Sequence, residues 1–154
     1  MRIACLDVGA RRIGVAVSDP TCTLARPVGV LRPAALEGDA PRLAAAEIGR
    51  LAAEEDGVSS IVVGLPRHLD GSASAMTARV TAFVAELGRL TELPVTLQDE
   101  RLTSREAESR LAITDRNWRT RKARLDAAAA AIILQDYLDV RPGRPMPIAA
   151  DSDL

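Results

Sequence analysis

The chain has 154 residues, 20 basic and 21 acidic side chains and a formal net charge of -1, which predicts a single domain. Hydrophobic residues make up 47% and charged residues 27%, a globular composition that excludes a disordered chain. No apolar run approaches the roughly 20 residues of a membrane helix, and two cysteines exclude a disulfide framework or a structural zinc site. Asp7 comes too early for a signal peptide, so we expect a cytoplasmic protein.

The first three predicted elements are strands. Residues 3–6 form a short apolar run, and residues 13–17 alternate large and small side chains with the period of a strand. The four residues 9–12 between them are short enough for an antiparallel hairpin. A third strand lies within residues 23–31, where Pro27 favours the edge of a sheet. The chain is therefore predicted to open with a β-meander.

A helix and a buried strand follow. Asp39 can cap the helix, Pro41 fits its first turn and Gly57 can end it. Residues 60–64 are apolar enough for a buried strand. The predicted apolar face of the helix consists of four residues: Ala44, Ile48, Leu51 and Ala52.

A long helix is predicted from about Ser74, and residues 94–98 form the next strand. The sequence of residues 103–106 is a capping box, which starts a helix that runs to about Ile113. Residues 114–122 are polar and basic and predict a mobile loop. A last helix covers about residues 125–138, with Asp126 in its first turn, and residues 141–154 predict a disordered tail. The stripe that faces the core on the long helix consists of Met76, Val80, Phe83, Val84 and Leu87.

The order of these elements, β-β-β-α-β-α-β-α-α, predicts an α/β fold. A meander followed by α/β units gives a mixed five-stranded sheet with helices on both faces. We expect residues 1–140 to form one domain.

Acidic residues stand where such sheets place their sites, beyond the carboxyl ends of strands. Asp7 follows the first strand, Asp99 and Glu100 follow the fifth, and Asp126 faces a run of alanines. Three carboxylates that converge from separate elements suit Mg²⁺ or Mn²⁺. Each acid also has a structural explanation. Asp7 can form a turn, Glu100 can pair with Arg101, and Asp126 can stabilise a helix start.

Positive charge is concentrated in residues 101–124, which carry a net charge of +5 against -6 for the rest of the chain. Such a segment can neutralise phosphates without reading base sequence. Arg11 and Arg12, close to Asp7, can form a second strip. Aromatic residues are only 2% of the chain, which argues against stacking of single-stranded bases. The basic residues of the segment are Arg101, Arg105, Arg110, Arg116, Arg119, Arg121, Lys122 and Arg124.

Four blocks in order carry a family resemblance that covers about residues 2–139. They are residues 6–17 with 25–27 beyond, residues 61–72, residues 99–107 and residues 126–138. Their cores read Leu-Asp-Val-Gly, Ile-Val-Val-Gly-Leu-Pro, Asp-Glu-Arg-Leu-Thr-Ser and Asp-Ala-Ala-Ala. Together they resemble the YqgF/RuvX family of the RNase H-like superfamily. That family is described as nucleases that mature the 5′ end of the small-subunit (16S) rRNA precursor, or as Holliday junction resolvases.

The resemblance implies an RNase H-like fold and a metal-dependent nuclease whose acids are Asp7, Glu100 and Asp126. In related resolvases the second acid ends the fourth strand. Here that strand ends in Gly64-Leu65-Pro66, so either Glu100 takes this role or the site is incomplete. The basic segment also departs from the family, where it is often rich in glycine and lysine. The resemblance favours rRNA processing over junction resolution, with the ribosome or its precursor as a possible partner.

Other function classes remain open from the sequence. The same fold could bind RNA, a ribosome or a transcription complex without cutting. The opening hairpin is also similar to the phosphate-binding hairpin of actin-like and sugar-kinase ATPases, although those enzymes use two such domains. A junction resolvase needs a dimer, whereas an rRNA nuclease can act as monomer or homodimer. Cys22 could cross-link two chains on oxidation.

Overall fold

A five-stranded sheet forms the centre of the computed structural model. The structure describes residues 1–34, 38–66, 74–99 and 118–140, and for residues 118–126 the backbone only. The strands lie in the order β3-β2-β1-β4-β5. Their bounds are β1 (Arg2–Val8), β2 (Ile13–Ser18), β3 (Ala25–Leu31), β4 (Val58–Leu65) and β5 (Val95–Asp99).

The sheet is mixed, as predicted. β1 pairs with β2 and β2 with β3 in antiparallel fashion, which confirms the opening meander. β1 pairs with β4 and β4 with β5 in parallel. Pro27 pairs with Ala16 on the edge strand β3, next to a register shift between Val15 and Ala16. An edge strand tolerates a proline because the missing N–H faces away from the ladder.

Helices cover both faces of the sheet, which confirms the predicted architecture. Helices α1 (Ala40–Ala52) and α2 (Ala75–Leu90) pack on one face, and α3 (Trp118–Val140) packs on the other. Strand β1 is buried between the two cores because its side chains alternate. Leu6 belongs to the core under α1 and α2, and Cys5 belongs to the core under α3.

Helix α1 differs from its prediction at both ends. Asp39 is its N-cap residue, but the Asp39 carboxylate makes no capping hydrogen bond. Ala52 is exposed, although the rest of the predicted apolar face is buried. The helix ends at Ala52, and Gly57 lies in the following turn with a φ of 61°. That left-handed backbone explains the glycine.

Helix α2 begins close to the predicted position. Ser74 is its N-cap, and the Ser74 N–H donates to the Thr77 hydroxyl at 2.8 Å. Val80, Phe83 and Leu87 are buried, as the predicted stripe requires. The two remaining members of the stripe, Met76 and Val84, are partly buried against the same core.

Helix α3 starts earlier than predicted, and this corrects two expectations. Residues 118–122 are helical, whereas the sequence predicted a mobile loop there. Asp126 therefore lies more than two turns inside the helix and not in its first turn. The residues from Trp118 to Val140 include no glycine or proline and are rich in Ala, Arg and Leu, which are good helix formers. Charge misled the prediction because polar residues do not by themselves break a helix.

The N-terminus is anchored by a buried arginine. Arg2 is only 4% exposed. Its guanidinium donates to the Leu51 carbonyl at 2.9 Å, to the Gly57 carbonyl at 3.1 Å and to the Glu54 carboxylate at 2.9 Å. The ion pair with Arg2 lowers the pKa of Glu54. Arg2 thus ties the start of β1 to the end of α1 and to the turn that leads into β4.

Several predicted elements lie outside the described residues. These are the helix of residues 103–113, the part of the predicted loop at residues 114–117 and the C-terminal tail of residues 141–154. Within the described ranges, no helix is both long and apolar enough to cross a membrane.

Candidate active site

Asp7 occupies the predicted position at the carboxyl end of β1. It is half-buried and stands between two core residues, Leu6 and Val8. Leu6 and Val8 face α1 and α2, so alternation places Asp7 on the opposite face with Cys5, the face that α3 covers. The sheet therefore directs the carboxylate toward the side on which α3 packs.

Glycines flank Asp7 on both neighbouring strands. Gly14 of β2 is its direct antiparallel partner. On the other side Leu6 pairs with Val63 of β4, so the next step along both strands brings Gly64 beside Asp7. Neither glycine has a side chain, so the two positions beside the carboxylate contribute only backbone atoms. Both glycines are buried, and Gly14 helps to line the cleft above Asp7.

The β1–β2 hairpin forms a cleft above Asp7. The Gly9 N–H donates to the Arg12 carbonyl at 2.8 Å, and a Cβ at Gly9 would lie only 3.1 Å from that oxygen. The cleft has a volume of about 250 Å³, and Arg11 and Arg12 help to line it together with Asp7. One carboxylate and two guanidiniums thus meet in one small cleft, which suits a cation and a phosphate held side by side.

The two acids at the end of β5 are not equivalent. Asp99 pairs in register with Leu65, whose side chain belongs to the core under α1 and α2. Residues in register on parallel strands share a face, so Asp99 lies on the face opposite Asp7. Glu100, the predicted second acid, lies outside the described residues, as do Arg101 and Arg116.

The position of Asp126 is defined by the backbone of α3. Further along this helix, the Gln135 side chain accepts from the Ala25 N–H and donates to the Thr23 carbonyl, both at 2.9 Å. Asp126 precedes Gln135 by nine residues, or about 13 Å of helix. The strand from Ile3 to Asp7 is also about 13 Å long. Helix α3 is therefore long enough to reach from the start of β3 to the level of Asp7.

The described side chains supply one member of the predicted metal site. Among them, no three His, Cys, Asp or Glu residues come close enough to hold a metal ion. The donor that is described fits a hard divalent cation, because Asp7 offers carboxylate oxygens in a polar cleft beside bare backbone. The remaining nucleic-acid-binding candidates (Arg119, Arg121, Lys122 and Arg124) lie on the backbone of α3.

Sequence reasoning missed the two glycines beside Asp7. A signal was available in the alternation of the strands. Gly14 lies two residues before Ala16 in β2, and Gly64 lies two residues after Val62 in β4. Because Ala16 and Val62 belong to the core under α3, both glycines also face α3. What the sequence could not give is the register that sets these glycines next to Asp7.

Comparisons with known proteins agree with this arrangement. A family model described as "RuvX: Holliday junction resolvase" matches residues 1–140. A protein of Anaeromyxobacter sp. (strain Fw109-5) named "Putative pre-16S rRNA nuclease" is 44% identical over 92% of this chain and 98% of its own length. A protein of the same name from Roseiflexus sp. (strain RS-1) is 41% identical over 90% of this chain and 94% of its own length.

A solved structure supports the fold. "T. thermophilus RuvC in complex with Holliday junction substrate" aligns with a TM-score of 0.55 at 15% identity, over 96% of this chain and 99% of that chain. The RNase H-like fold is thereby confirmed. With the family model spanning residues 1–140 and relatives above 40% identity along nearly their whole length, the chain belongs to the RuvX family of nucleases.

Proposed function

We propose that this protein is a metal-dependent endonuclease that hydrolyses phosphodiester bonds of structured nucleic acid, and that its substrate is the 5′ end of the 16S rRNA precursor. One observation carries the proposal. Asp7 ends the central strand in a cleft shared with Arg11 and Arg12, between strand positions that bear no side chain. A phosphodiester backbone and a cation can enter that cleft together.

Three acids hold the metal in this proposal: Asp7, Glu100 and Asp126. When bound, Mg²⁺ or Mn²⁺, as a pair of ions, activates a water and stabilises the leaving oxygen. Asp7 supplies carboxylate oxygens from a rigid central strand, and Glu100 follows the strand two places away in the sheet. The chain contributes the fixed positions of these oxygens, which oriented hydrolysis requires.

The placement of Asp126 is supported by the geometry of α3. The helix spans the length needed to reach Asp7. In addition, Asp126 precedes Ala130 by four residues and Ile133 by seven, and both of these residues are buried against the sheet. Residues at these spacings share one side of a helix. The alanines that follow Asp126 allow the helix to approach the sheet closely.

Basic residues bind the phosphates on either side of the cut. Arg11 and Arg12 contact the phosphate nearest to Asp7, and Arg101 orders Glu100. Further basic residues lie at the start of α3, where the helical backbone fixes the distances between them. These contacts neutralise the backbone and do not read the bases. The further residues in this role are Arg116, Arg119, Arg121, Lys122 and Arg124.

The names of the relatives favour an rRNA precursor as the substrate. The family description and the RuvC neighbour favour a four-way DNA junction as the second candidate. We propose that residues 1–140 form the nuclease domain, that the protein acts in the cytoplasm, and that the pre-ribosomal particle presents the RNA. Either a monomer or a homodimer can cut RNA, whereas a symmetrical junction requires two copies.

Cleavage assays test the proposal. Purified protein is incubated in Mg²⁺ or Mn²⁺ with a 16S precursor 5′ leader and, in parallel, with a four-way DNA junction. Cleavage of the leader that is absent with Asp7→Asn supports rRNA processing, and cleavage of the junction alone supports a resolvase. If neither substrate is cut, also when the leader is presented in pre-ribosomal particles, the catalytic proposal is wrong and a binding module is favoured.

A further inference from the structure

We propose that Arg32 and Arg42 form a second binding surface for backbone phosphates, which extends the nucleic-acid footprint from Asp7 across β3 to the start of α1. The inference rests on the proposed function, because its ligand is the strand that enters the Asp7 cleft. Neither arginine belongs to the basic residues assigned above.

The two arginines line one cleft. It has a volume of about 390 Å³ and is lined by the end of β3 and the beginning of α1, with Arg32, Arg42 and Asp39 as its charged members. Both arginines are exposed. Among the described residues that line the cleft, two arginines and Asp39 give a net charge of +1, which suits one phosphate group.

This cleft lies at the same end of the sheet as Asp7. Val8 pairs with Ile13, and Ile13 pairs with Leu31, so the three residues form one row across β1, β2 and β3. Arg32 follows Leu31 directly, two strands away from the end of β1. Two strand spacings are about 10 Å. Asp7 lies on the face that α3 covers and the start of α1 lies on the other face, so a nucleic-acid strand that contacts both must cross the edge of the sheet at Arg32.

Neither guanidinium is used to hold the fold together. Within the described residues, Arg32 and Arg42 form no ion pair. Arginines at the other end of α1 do, since Arg2 pairs with Glu54 and Arg50 pairs with Glu47 and Glu54. Arginine side chains that are exposed and unpaired keep all their donors available for phosphate oxygens.

The position of Arg42 is unfavourable for the helix itself. It is the third residue of α1, whose first turn has no acidic residue. A cation in the first turn is opposed by the positive end of the helix dipole. The carboxylate of the N-cap residue Asp39 makes no capping bond to the N–H groups of the first turn, which Ala40 and Arg42 carry and Pro41 lacks. A phosphate there would be favoured by these N–H groups and by both guanidiniums.

Binding titrations at several salt concentrations test the surface. A labelled four-way DNA junction and a labelled 16S precursor leader are the probes, with Asp7→Asn as the background to prevent cutting. The double variant Arg32→Ala, Arg42→Ala should lower the slope of log affinity against log salt by about 0.7 to 0.9, the value for one phosphate contact. At about 0.15 M salt, binding should weaken by about 4- to 6-fold.

A matched control removes the same charge elsewhere. The double variant Arg50→Ala, Arg89→Ala removes two ion-paired arginines from the C-terminal ends of α1 and α2. It should leave the slope unchanged. The single variants Arg32→Gln and Arg42→Gln should each give about half of the full change, which guards against misfolding of the double variant. Equal slopes for wild type, both single variants and the double variant would overturn the inference.

Failure of this inference is distinguishable from failure of the proposed function. If the wild type cuts the leader and the arginine variants bind and cut it equally well, only the second surface is wrong. Inorganic phosphate is also titrated against the labelled probe. If phosphate displaces the probe from the wild type and from the arginine double variant equally well, the cleft is likewise not a phosphate site.

Discussion

Asp7 and Asp99 end strands at the same edge of the sheet but lie on opposite faces. Asp7 shares the α3 face with Cys5, whereas Asp99 is in register with Leu65 on the face of α1 and α2. Of the two adjacent acids at the end of β5, Asp99 is thus directed away from the cleft. The register of the sheet supports Glu100 as the functional acid of the pair.

The first prediction uses this difference between two aspartates. Asp7→Asn should reduce Mg²⁺-dependent cleavage by at least about 100-fold, because a lost metal ligand removes several kcal/mol of transition-state stabilisation. Asp99→Asn is the matched control and should keep cleavage within about a factor of three. Initial rates on the same substrate measure both, and equal losses in the two variants would contradict the assignment.

The second prediction concerns the position without a side chain beside Asp7. Gly64→Ala places a methyl group next to the carboxylate and should lower cleavage by about tenfold, since a displacement of about 1 Å in such a site can cost more than that. Because Gly64 is buried, the methyl group should also lower the free energy of unfolding by about 1–3 kcal/mol, so cleavage is compared at a temperature at which both proteins are folded. Gly29→Ala, on the same sheet but with open space around its Cβ, is the control. Full activity of Gly64→Ala would show that the site does not need a glycine at this position.

The third prediction concerns Arg2. Arg2→Ala should lower the free energy of unfolding by about 2–3 kcal/mol, because the Leu51 carbonyl loses its side-chain donor, the buried Arg2 side chain is removed and a half-exposed ion pair is broken. Arg2→Lys should recover only part of the loss, since an ammonium cannot span both carbonyls. Urea unfolding followed by circular dichroism measures both variants. Arg50→Ala, which breaks exposed pairs only, should cost less than about 1 kcal/mol.

The fourth prediction is a pH dependence that arises from Asp19. Partial burial raises the pKa of Asp19, but hydrogen bonds from the Leu24 N–H, the Thr21 hydroxyl and the Thr23 N–H outweigh it and lower the pKa from 3.8 to about 2. The folded pKa lies below the unfolded one. The stabilisation is therefore present above about pH 5 and is lost as the pH falls toward about 2.

Comparison of the wild type with Asp19→Asn isolates this contribution. Asparagine keeps an acceptor for the two N–H groups but does not ionise in this range. The wild type should be more stable by about 1 kcal/mol at pH 7, after allowance for solvent screening, and this difference should vanish below about pH 2. An advantage that is the same at both pH values would rule out the proposed role of the carboxylate.

The sequence was a good guide to the sheet because alternation and turn residues are local signals. Strand β2 follows the predicted alternation, and Pro27 lies on an edge strand as expected. The strand order β3-β2-β1-β4-β5 was not predicted, because it is a long-range property that no local pattern contains. Asp7 was identified correctly as a residue at the end of a central strand.

Local sequence patterns misled the prediction where one segment fits two structures. The basic run before Asp126 was interpreted as a loop, but its residues favour a helix and no breaker interrupts them. Gly14 and Gly64 were each treated as part of a single strand, because only the register shows that both lie next to Asp7. Arg42 was not singled out because an arginine near a helix start has no distinctive pattern in sequence.

The edge strand β3 has a consequence for how two copies of this chain could associate. Sheets of neighbouring molecules join when exposed strand edges offer free N–H donors to each other. On β3, Pro27 has no N–H, and the Ala25 N–H is already bound by Gln135 of the same chain. Continuation of the sheet from one molecule into the next is therefore blocked over the first half of this edge. A symmetrical pair of the kind that a four-way junction demands must form through side-chain surfaces, through another strand or through the second half of β3.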